Sequence, residues 1–228
     1  MKENYFYEGW ELPYFDKAKN FRNYQFSFFK KNIRGSVAEI GPGTGDNIQR
    51  YKKLSEKIYL YELSPNFKKK LIKKYFNKKI KIKSKNFLNE KLTFDTIIAL
   101  DVMEHVRNDK RFLSKLLKSL KKNGNLIVNV PAFPILFSDF DKDVHHLKRY
   151  KKYFFNKNIN QSFKVKMFYY DSIGFFLSLI SKIFTKNYKK NFRYKILFWD
   201  KLIPISKLLD RLLLNLFGKS LIVIAKKK

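Results

Sequence analysis

Residues Val37-Ala38-Glu39-Ile40-Gly41-Pro42-Gly43-Thr44-Gly45-Asp46 decide the fold. A short apolar strand pattern runs into three glycines within five residues, in a chain that has only eight. Glycine lacks a Cβ and accepts positive φ, so backbone here turns tightly and can approach a ligand closely. The turn should then open a helix. Dinucleotide-binding turns space their glycines G-x-G-x-x-G, which brings the helix N-terminus to the pyrophosphate. Here the third glycine comes one position early and Asp46 stands in place of the last, which argues against a dinucleotide.

Outward from this turn, strand and helix patterns alternate. Lys57–Tyr61 reads as a second strand, and Ser64-Pro65 as the cap and first turn of a helix. That helix carries Phe67, Leu71, Ile72, Tyr75 and Phe76 on or near one face. Ile80–Lys83 alternates as a third strand. Phe94–Leu100 is almost continuously apolar, as in a strand buried on both faces. A helix is expected over 110–122, with Gly124 just past its end, and then a strand over 126–130 stopped by Pro131. This alternation predicts an α/β fold with a largely parallel sheet. Residues 131–150 read as a long loop, followed by a helix near 151–160 and a strand at Phe163–Tyr170. Residues 171–217 read as helical throughout, with a stripe of Ile205, Leu208, Leu209, Leu212, Leu213 and Leu216 at helical spacing. A last strand is expected over 220–225. The chain divides as one domain, 1–228: an aromatic, helical lead-in (1–35), a core (36–170), a helical insertion or cap (171–217), and a last strand with a basic tail (218–228).

Composition bounds the function. The 228 residues suffice for one α/β domain with a real core. The absence of cysteine excludes disulfide scaffolds, thiolate nucleophiles and sulfur-held metals. A net charge of +31 favours anionic partners, and leaves nucleic acid open as one of them. Lys, Asn, Ile, Phe and Tyr are also the residues of A/T-rich codons, so composition bias accounts for that charge equally well. No secretory signal and no bilayer-spanning run is visible, so a cytoplasmic chain is expected, at most peripheral on the inner membrane face.

Glu62 ends the second strand, 17 residues after Gly45. An acidic side chain there accepts ribose hydroxyls in Rossmann-like folds. The Gly41, Gly43, Gly45 turn with Glu39 before it, Glu62, and the segment Phe94-Asp95-Thr96-Ile97-Ile98-Ala99-Leu100-Asp101-Val102-Met103-Glu104-His105-Val106 together resemble motifs of the class I S-adenosylmethionine-dependent methyltransferases. The resemblance implies a Rossmann-like, seven-stranded, mostly parallel sheet with helices on both faces and a helical insertion before the last strand. It also implies S-adenosylmethionine as cofactor, held by Glu39, Gly41, Gly43, Gly45, Glu62, Leu63, Asn86, Phe87, Asp101, Val102 and His105. Asn86 and Phe87 would touch the adenine, although an Asp is more typical than Asn86. A metal reading of Asp101, Glu104 and His105 is set aside, because short O/N clusters recur by chance, and no metal is expected.

Val130-Pro131-Ala132 and the run Asp141-Lys142-Asp143-Val144-His145-His146-Leu147-Lys148-Arg149-Tyr150 resemble a branch of bacterial methyltransferase-domain proteins (type 11/12) with a vPA…D-x-x-x-G-H-x-R-R-Y loop. His145 replaces the glycine and Lys148 the first arginine. The set is loosely similar to quinone-biosynthesis O-methyltransferases as well. The resemblance implies methyl transfer to a small molecule, glycan or lipid-linked intermediate. His146 is then the candidate proton acceptor, with Asp141, Arg149 and Tyr150 on the substrate side. The alternative for His146 and Arg149 is that they order the loop through hydrogen bonds to Asp141 or Asp143. Two other functions stay open: an RNA or DNA methyltransferase, against which stands the lack of an N/D-P-P-Y/F segment, and a non-catalytic basic scaffold. The apolar residues of the insertion (Phe175, Phe176, Leu177, Leu179, Ile180, Ile183 and Phe184), fringed by Lys182, Lys186, Lys189, Lys190, Arg193 and Lys195, either cap the sheet or dock on an acidic membrane.

Overall fold

A computed structural model describes residues 7–75, 79–184 and 189–228, with the side chains of Ile183 and Phe184 also left out. Phe76 and Lys186 lie outside the described residues. The chain begins with helices α1 (Leu12–Phe15) and α2 (Lys19–Phe29). It continues through β1 (Ser36–Ile40), α3 (Ile48–Tyr51), β2 (Lys57–Tyr61), α4 (Pro65–Tyr75) and β3 (Ile80–Lys83). Next come β4 (Phe94–Leu100), α5 (Asp109–Lys118), β5 (Leu120–Pro131), α6 (Asp139–Asp143) and α7 (Lys152–Asn158). The chain closes with β6 (Phe163–Tyr170), α8 (Ser172–Phe184), α9 (Phe192–Leu212) and β7 (Ser220–Lys227).

The seven strands form one sheet in the order β3-β2-β1-β4-β5-β7-β6, parallel except that β7 runs against β5 and β6. β1 and β4 are adjacent at its centre, in register Val37↔Thr96 through Ile40↔Ala99. From β1 the chain builds outward to β2 and β3, then returns to place β4 on the other side. The carboxyl ends of β1 and β4 therefore border the crevice where open α/β sheets bind ligands. Both faces of the sheet are covered. Ile97 and Ala99 pack with Leu113, Leu116 and Phe155 on one face, whereas Ile98 and Leu100 pack with Leu71, Trp199 and Ile203 on the other. That double burial explains why β4 reads as an unbroken apolar run.

Four expectations need correction. The helix read over 110–122 ends at Lys118, and β5 already begins at Leu120. Lys121 to Gly124 form an irregularity between the Phe94↔Leu120 and Thr96↔Asn125 pairings. Gly124 serves a close backbone approach there: a Cβ would lie 2.9 Å from the Lys121 carbonyl and 3.1 Å from that of Phe94. The glycine turn leads into a helix of a single turn, α3. The segment 131–150 contains α6, which Asp141 nucleates by accepting hydrogen bonds from Ser138 N (2.9 Å) and Ser138 Oγ (3.0 Å). Residues 171–217 make two helices, not one continuous run, and the leucine stripe of α9 faces outward: Leu212 is 70% and Leu208 59% exposed.

The buried side of α9 carries Ile196, Trp199, Asp200, Ile203, Ser206 and Asp210. Asp200 accepts from Phe21 N (2.8 Å), and Asp210 from Asp171 N (2.7 Å), Ser172 N (2.9 Å) and Tyr24 Oη (2.9 Å). Polar anchors thus take the inside and leave the leucines outside. Pro204 has no N–H for the Asp200 carbonyl one turn earlier, and Asn20 Nδ2 donates to that carbonyl instead, at 3.1 Å.

At the opposite end of the sheet from the crevice, Asp95 Oδ2 joins the starts of three strands. It accepts from Ser36 N (2.9 Å), Ser36 Oγ (2.6 Å) and Lys121 Nζ (2.7 Å). Partial burial would raise its pKa, but Lys121 and Ser36 outweigh that and lower it from 3.8 to about 2. A lowered carboxyl pKa stabilises the fold above the unfolded value, and the contribution disappears as pH falls through the folded value. Asp95→Asn should therefore cost about 1 kcal/mol at pH 7, after discounting for partial exposure. In denaturant melts the variant and the parent should converge as pH falls from about 4 towards 2.

Candidate functional site

The crevice holds a cavity of about 480 Å³, lined by the glycine turn, the ends of β2 and β4, the lead-in, and residues of the segment after β5. Gly41, Gly43 and Gly45 all adopt positive φ, at 63°, 54° and 74°. A Cβ on Gly41 would stand 2.8 Å from Val102 Cγ2, so that turn and the exit of β4 can close together only without one. Gly45 packs instead against Leu71 and Tyr75, beneath the turn.

Glu62 sits at the end of β2, against the turn. Gly43 N donates to its Oε2 at 3.1 Å and Ser64 N to its Oε1 at 2.8 Å. Burial raises its pKa, and these backbone donors oppose the rise. Each carboxylate oxygen keeps a lone pair for a further donor. Leu63 lines the cavity beside it. Glu39 is buried below the turn, accepts from Tyr51 Oη, and does not line the cavity; burial pushes its carboxyl up to about 7. Asp101 leaves β4 with φ 56° and accepts from Asn129 Nδ2 at 2.6 Å, with Arg22 Nη1 at 3.9 Å. Asn86 and Phe87 are not on the cavity wall. Asn86 Oδ1 caps a short turn by accepting from Leu88 N at 3.0 Å, and the Phe87 ring is buried edge-on against Tyr61.

On the far side of the cavity, Asp141 organises the loop. Arg149 Nε and Nη2 each donate to it at 3.0 Å, His146 Nδ1 lies 2.8 Å from its Oδ1, and Arg149 Nη1 donates to the Ala132 carbonyl at 3.3 Å. Burial would raise the Asp141 pKa, but His146 and Arg149 reverse that and hold it at about 2. Arg149 is thereby committed to the loop itself, although it also lines the cavity. Tyr150 is buried away from the cavity, with its hydroxyl 3.0 Å from the Met103 carbonyl and 3.1 Å from Asp109 Oδ2. His105 and His146 face each other edge to face, centroids 4.9 Å apart. Burial, then His146, lower the His105 pKa to about 4.

Sequence reading missed Tyr7, Glu11 and Arg22 of the lead-in and Trp199 and Lys219 of the last third, all on the same wall. No local pattern announces them, since the tertiary fold alone carries both chain ends over the sheet. Among the lining residues six are acidic (Glu11, Asp16, Asp46, Glu62, Asp101, Glu104) and three are Lys or Arg (Arg22, Arg149, Lys219), although the whole chain is +31. The cavity is an acidic recess in a basic protein, suited to a cation and not to a phosphate. Arg149→Met should leave Asp141 a poorly compensated buried carboxylate and cost about 3 kcal/mol in a urea melt.

The comparisons agree with this geometry. A family model described as a methyltransferase domain matches residues 14–168. No curated protein matches the chain. Among solved structures, a putative S-adenosylmethionine-dependent methyltransferase from Listeria monocytogenes superposes with a TM-score of 0.60 at 11% identity, covering 90% of this chain and 98% of that one. A S-adenosylmethionine-dependent methyltransferase from Clostridium acetobutylicum gives 0.60 at 10% identity, covering 92% of each. The plantazolicin methyltransferase BpumL in complex with SAH gives 0.55 at 16% identity, covering 95% of this chain and 84% of that one. These similarities are of fold, and with the family match over most of its length this chain belongs to the methyltransferase-domain family.

Proposed function

We propose that this chain transfers the methyl group of S-adenosylmethionine to a small amphipathic acceptor, a glycan or lipid-linked intermediate, at the crevice between β1 and β4. The observation that carries the reading is the acidic recess at the glycine turn, with Glu62 preset by two backbone donors. The cofactor supplies a methyl group on a positively charged sulfur and brings an ammonium group too, so carboxylates are its natural surroundings. Glu62 accepts the ribose hydroxyls, and Gly41 and Gly43, on the cavity wall, border the methionine end. Across the cavity, Asp141 engages His146 Nδ1, which leaves Nε2 as the atom that would meet the acceptor. The chain then has only to hold the acceptor atom in line with the methyl carbon.

The acceptor class rests on the insertion. A second cavity, of about 530 Å³, shares Phe15, Phe140, Arg149, Trp199 and Lys219 with the first and extends between α8 and α9 past Leu177, Ile196 and Phe198. Beside it α8 and α9 expose Phe176, Ile180, Ile205, Leu208 and Leu212, interspersed with Lys201, Lys207 and Arg211. Phe175 turns inward against Phe133 and Phe217. Among the described residues no helix is long and apolar enough to cross a membrane. An exposed apolar face with a basic fringe suits contact with an anionic bilayer, each basic group adding about 1 kcal/mol near the surface. Methylation of RNA or DNA, or a non-catalytic basic scaffold, would use the same charge without this apolar face.

Calorimetry tests the cofactor site: Glu62→Ala should weaken S-adenosylmethionine binding by about 1–3 kcal/mol while the fold persists. Unchanged affinity in the folded variant rejects the assignment. Sedimentation with anionic and neutral vesicles tests the surface. Binding should favour anionic vesicles and be lost when Phe176, Ile180, Leu208 and Leu212 are changed to Ser; equal, negligible sedimentation with both removes the membrane reading.

A further inference from the structure

Three side chains from two distant segments meet at the wall of the donor cavity: Glu104 and His105 in the turn after β4, and His146 in the loop after α6. One ligating atom from each lies within 4.8 Å of the others. Glu104 is wholly buried, and neither carboxylate oxygen has a hydrogen-bond partner. His146 Nε2 stands 3.8 Å from its Oε1, which is beyond hydrogen-bonding distance. In the neutral form both oxygens would still lack a donor, and the added O–H would have no acceptor within hydrogen-bond distance. Buried polar atoms are satisfied in almost all native proteins, so an orphaned carboxylate beside two imidazoles points to a missing partner.

Both imidazoles are held from behind in the tautomer that a ligand needs. His146 Nδ1 is 2.8 Å from Asp141 Oδ1, a carboxylate that pairs with Arg149, so in the neutral ring Nδ1 carries the proton and Nε2 the lone pair. His105 Nδ1 is 3.2 Å from the His145 carbonyl oxygen, which only accepts, so its Nε2 is free of a proton as well. A carboxylate or carbonyl behind the ligating ring is the recurrent outer support of metal-bound histidine. Glu11, on the same cavity wall, also has an orphaned buried oxygen, Oε2, and adds negative charge to the recess. Asp101 is drawn off instead to Asn129 and towards Arg22.

We propose that Glu104, His105 and His146 bind a divalent transition-metal cation of the zinc class. Two imidazole nitrogens and one carboxylate form the donor set of open zinc sites, and the remaining positions would face the cavity. Magnesium prefers oxygen ligands in a strict octahedron and fits this set poorly. The place of the ion, between the glycine turn and the loop, suits it to hold an acceptor oxygen and lower its pKa. That role rests on the methyl-transfer reading above; binding of the ion does not. His146 Nε2 then serves the cation and not the acceptor's proton directly.

The test uses the full chain, stripped with a chelator and titrated with Co²⁺, whose visible absorption reports a protein-bound ion. One Co²⁺ per chain should bind, with displacement by Zn²⁺ and no competition from equimolar Mg²⁺. Glu104→Gln and His146→Ala should each weaken binding at least about 100-fold, and Asp141→Asn, at a residue that orients His146 without meeting the ion, about 10–100-fold. His145→Asn should leave the affinity unchanged, because residue 145 supplies only its carbonyl. Fold integrity is read by thermal melting: zinc should raise the Tm of the parent but not of Glu104→Gln, and the metal-free Glu104→Gln protein should melt no lower than the metal-free parent. Absence of Co²⁺ uptake by the parent, or uptake undiminished in both Glu104→Gln and His146→Ala, overturns the proposal, and the parent titration alone decides if a variant misfolds. S-adenosylhomocysteine calorimetry on the same parent sample keeps the two readings apart. Cofactor binding without metal rejects only the ion, whereas metal without cofactor keeps the ion and rejects methyl transfer.

Discussion

The structure depends on the side-by-side burial of β1 and β4. Both strands are covered on both faces, so their side chains are mostly apolar, and Glu39 and Asp95 are each bonded to other side chains of the protein. The functional groups are pushed to the carboxyl ends, where the chain must turn sharply twice in one small space. Gly41 and Asp101 both take left-handed conformations there, and the missing Cβ of Gly41 lets Val102 close over the turn. Strain tolerated at these exits is the local cost of bringing two strand ends to one crevice.

A second constraint is the burial of carboxylates in a chain that is mostly lysine outside. Asp171, Asp200 and Asp210 anchor α2, α8 and α9 through backbone N–H groups. Burial raises the Asp171 carboxyl to about 6, opposed by nearby Lys219. These internal acids decide how α9 is rotated about its axis, and that rotation turns the leucines to the surface. The same segment thereby lines the crevice through Trp199 and leaves an apolar face exposed.

Asp141 plays the corresponding part in the loop after β5. It nucleates α6 through Ser138, pairs with Arg149 and orients His146. Leu147 N also donates to the Glu104 carbonyl at 2.8 Å, so the loop and the turn after β4 are fastened directly. The proximity of His146 to Glu104 is thus built by several bonds and not by one flexible contact.

What the sequence determined by itself is what depends on neighbours along the chain. The glycine turn, Glu62 at the end of its strand, the apolar run of β4 and the α/β alternation were legible because strand and helix periods and left-handed turns are local properties. Tertiary structure decided the rest. Helical spacing revealed the apolar residues from Ile205 to Leu216 only as a stripe; which side it faces was set by hydrogen bonds from α2 and from Asp171 just after β6, distant in the chain, so Ile205, Leu208 and Leu212 lie outside. Asn86 and Phe87 have the right place in the chain but turn to local capping and core packing. Asp101, Glu104 and His105 suggested a cluster by adjacency, yet the fold sends Asp101 to Asn129 and brings in His146 from 41 residues beyond His105. Adjacency in sequence fixes which residues share a turn. Only the closure of the sheet fixes which turns share a cavity.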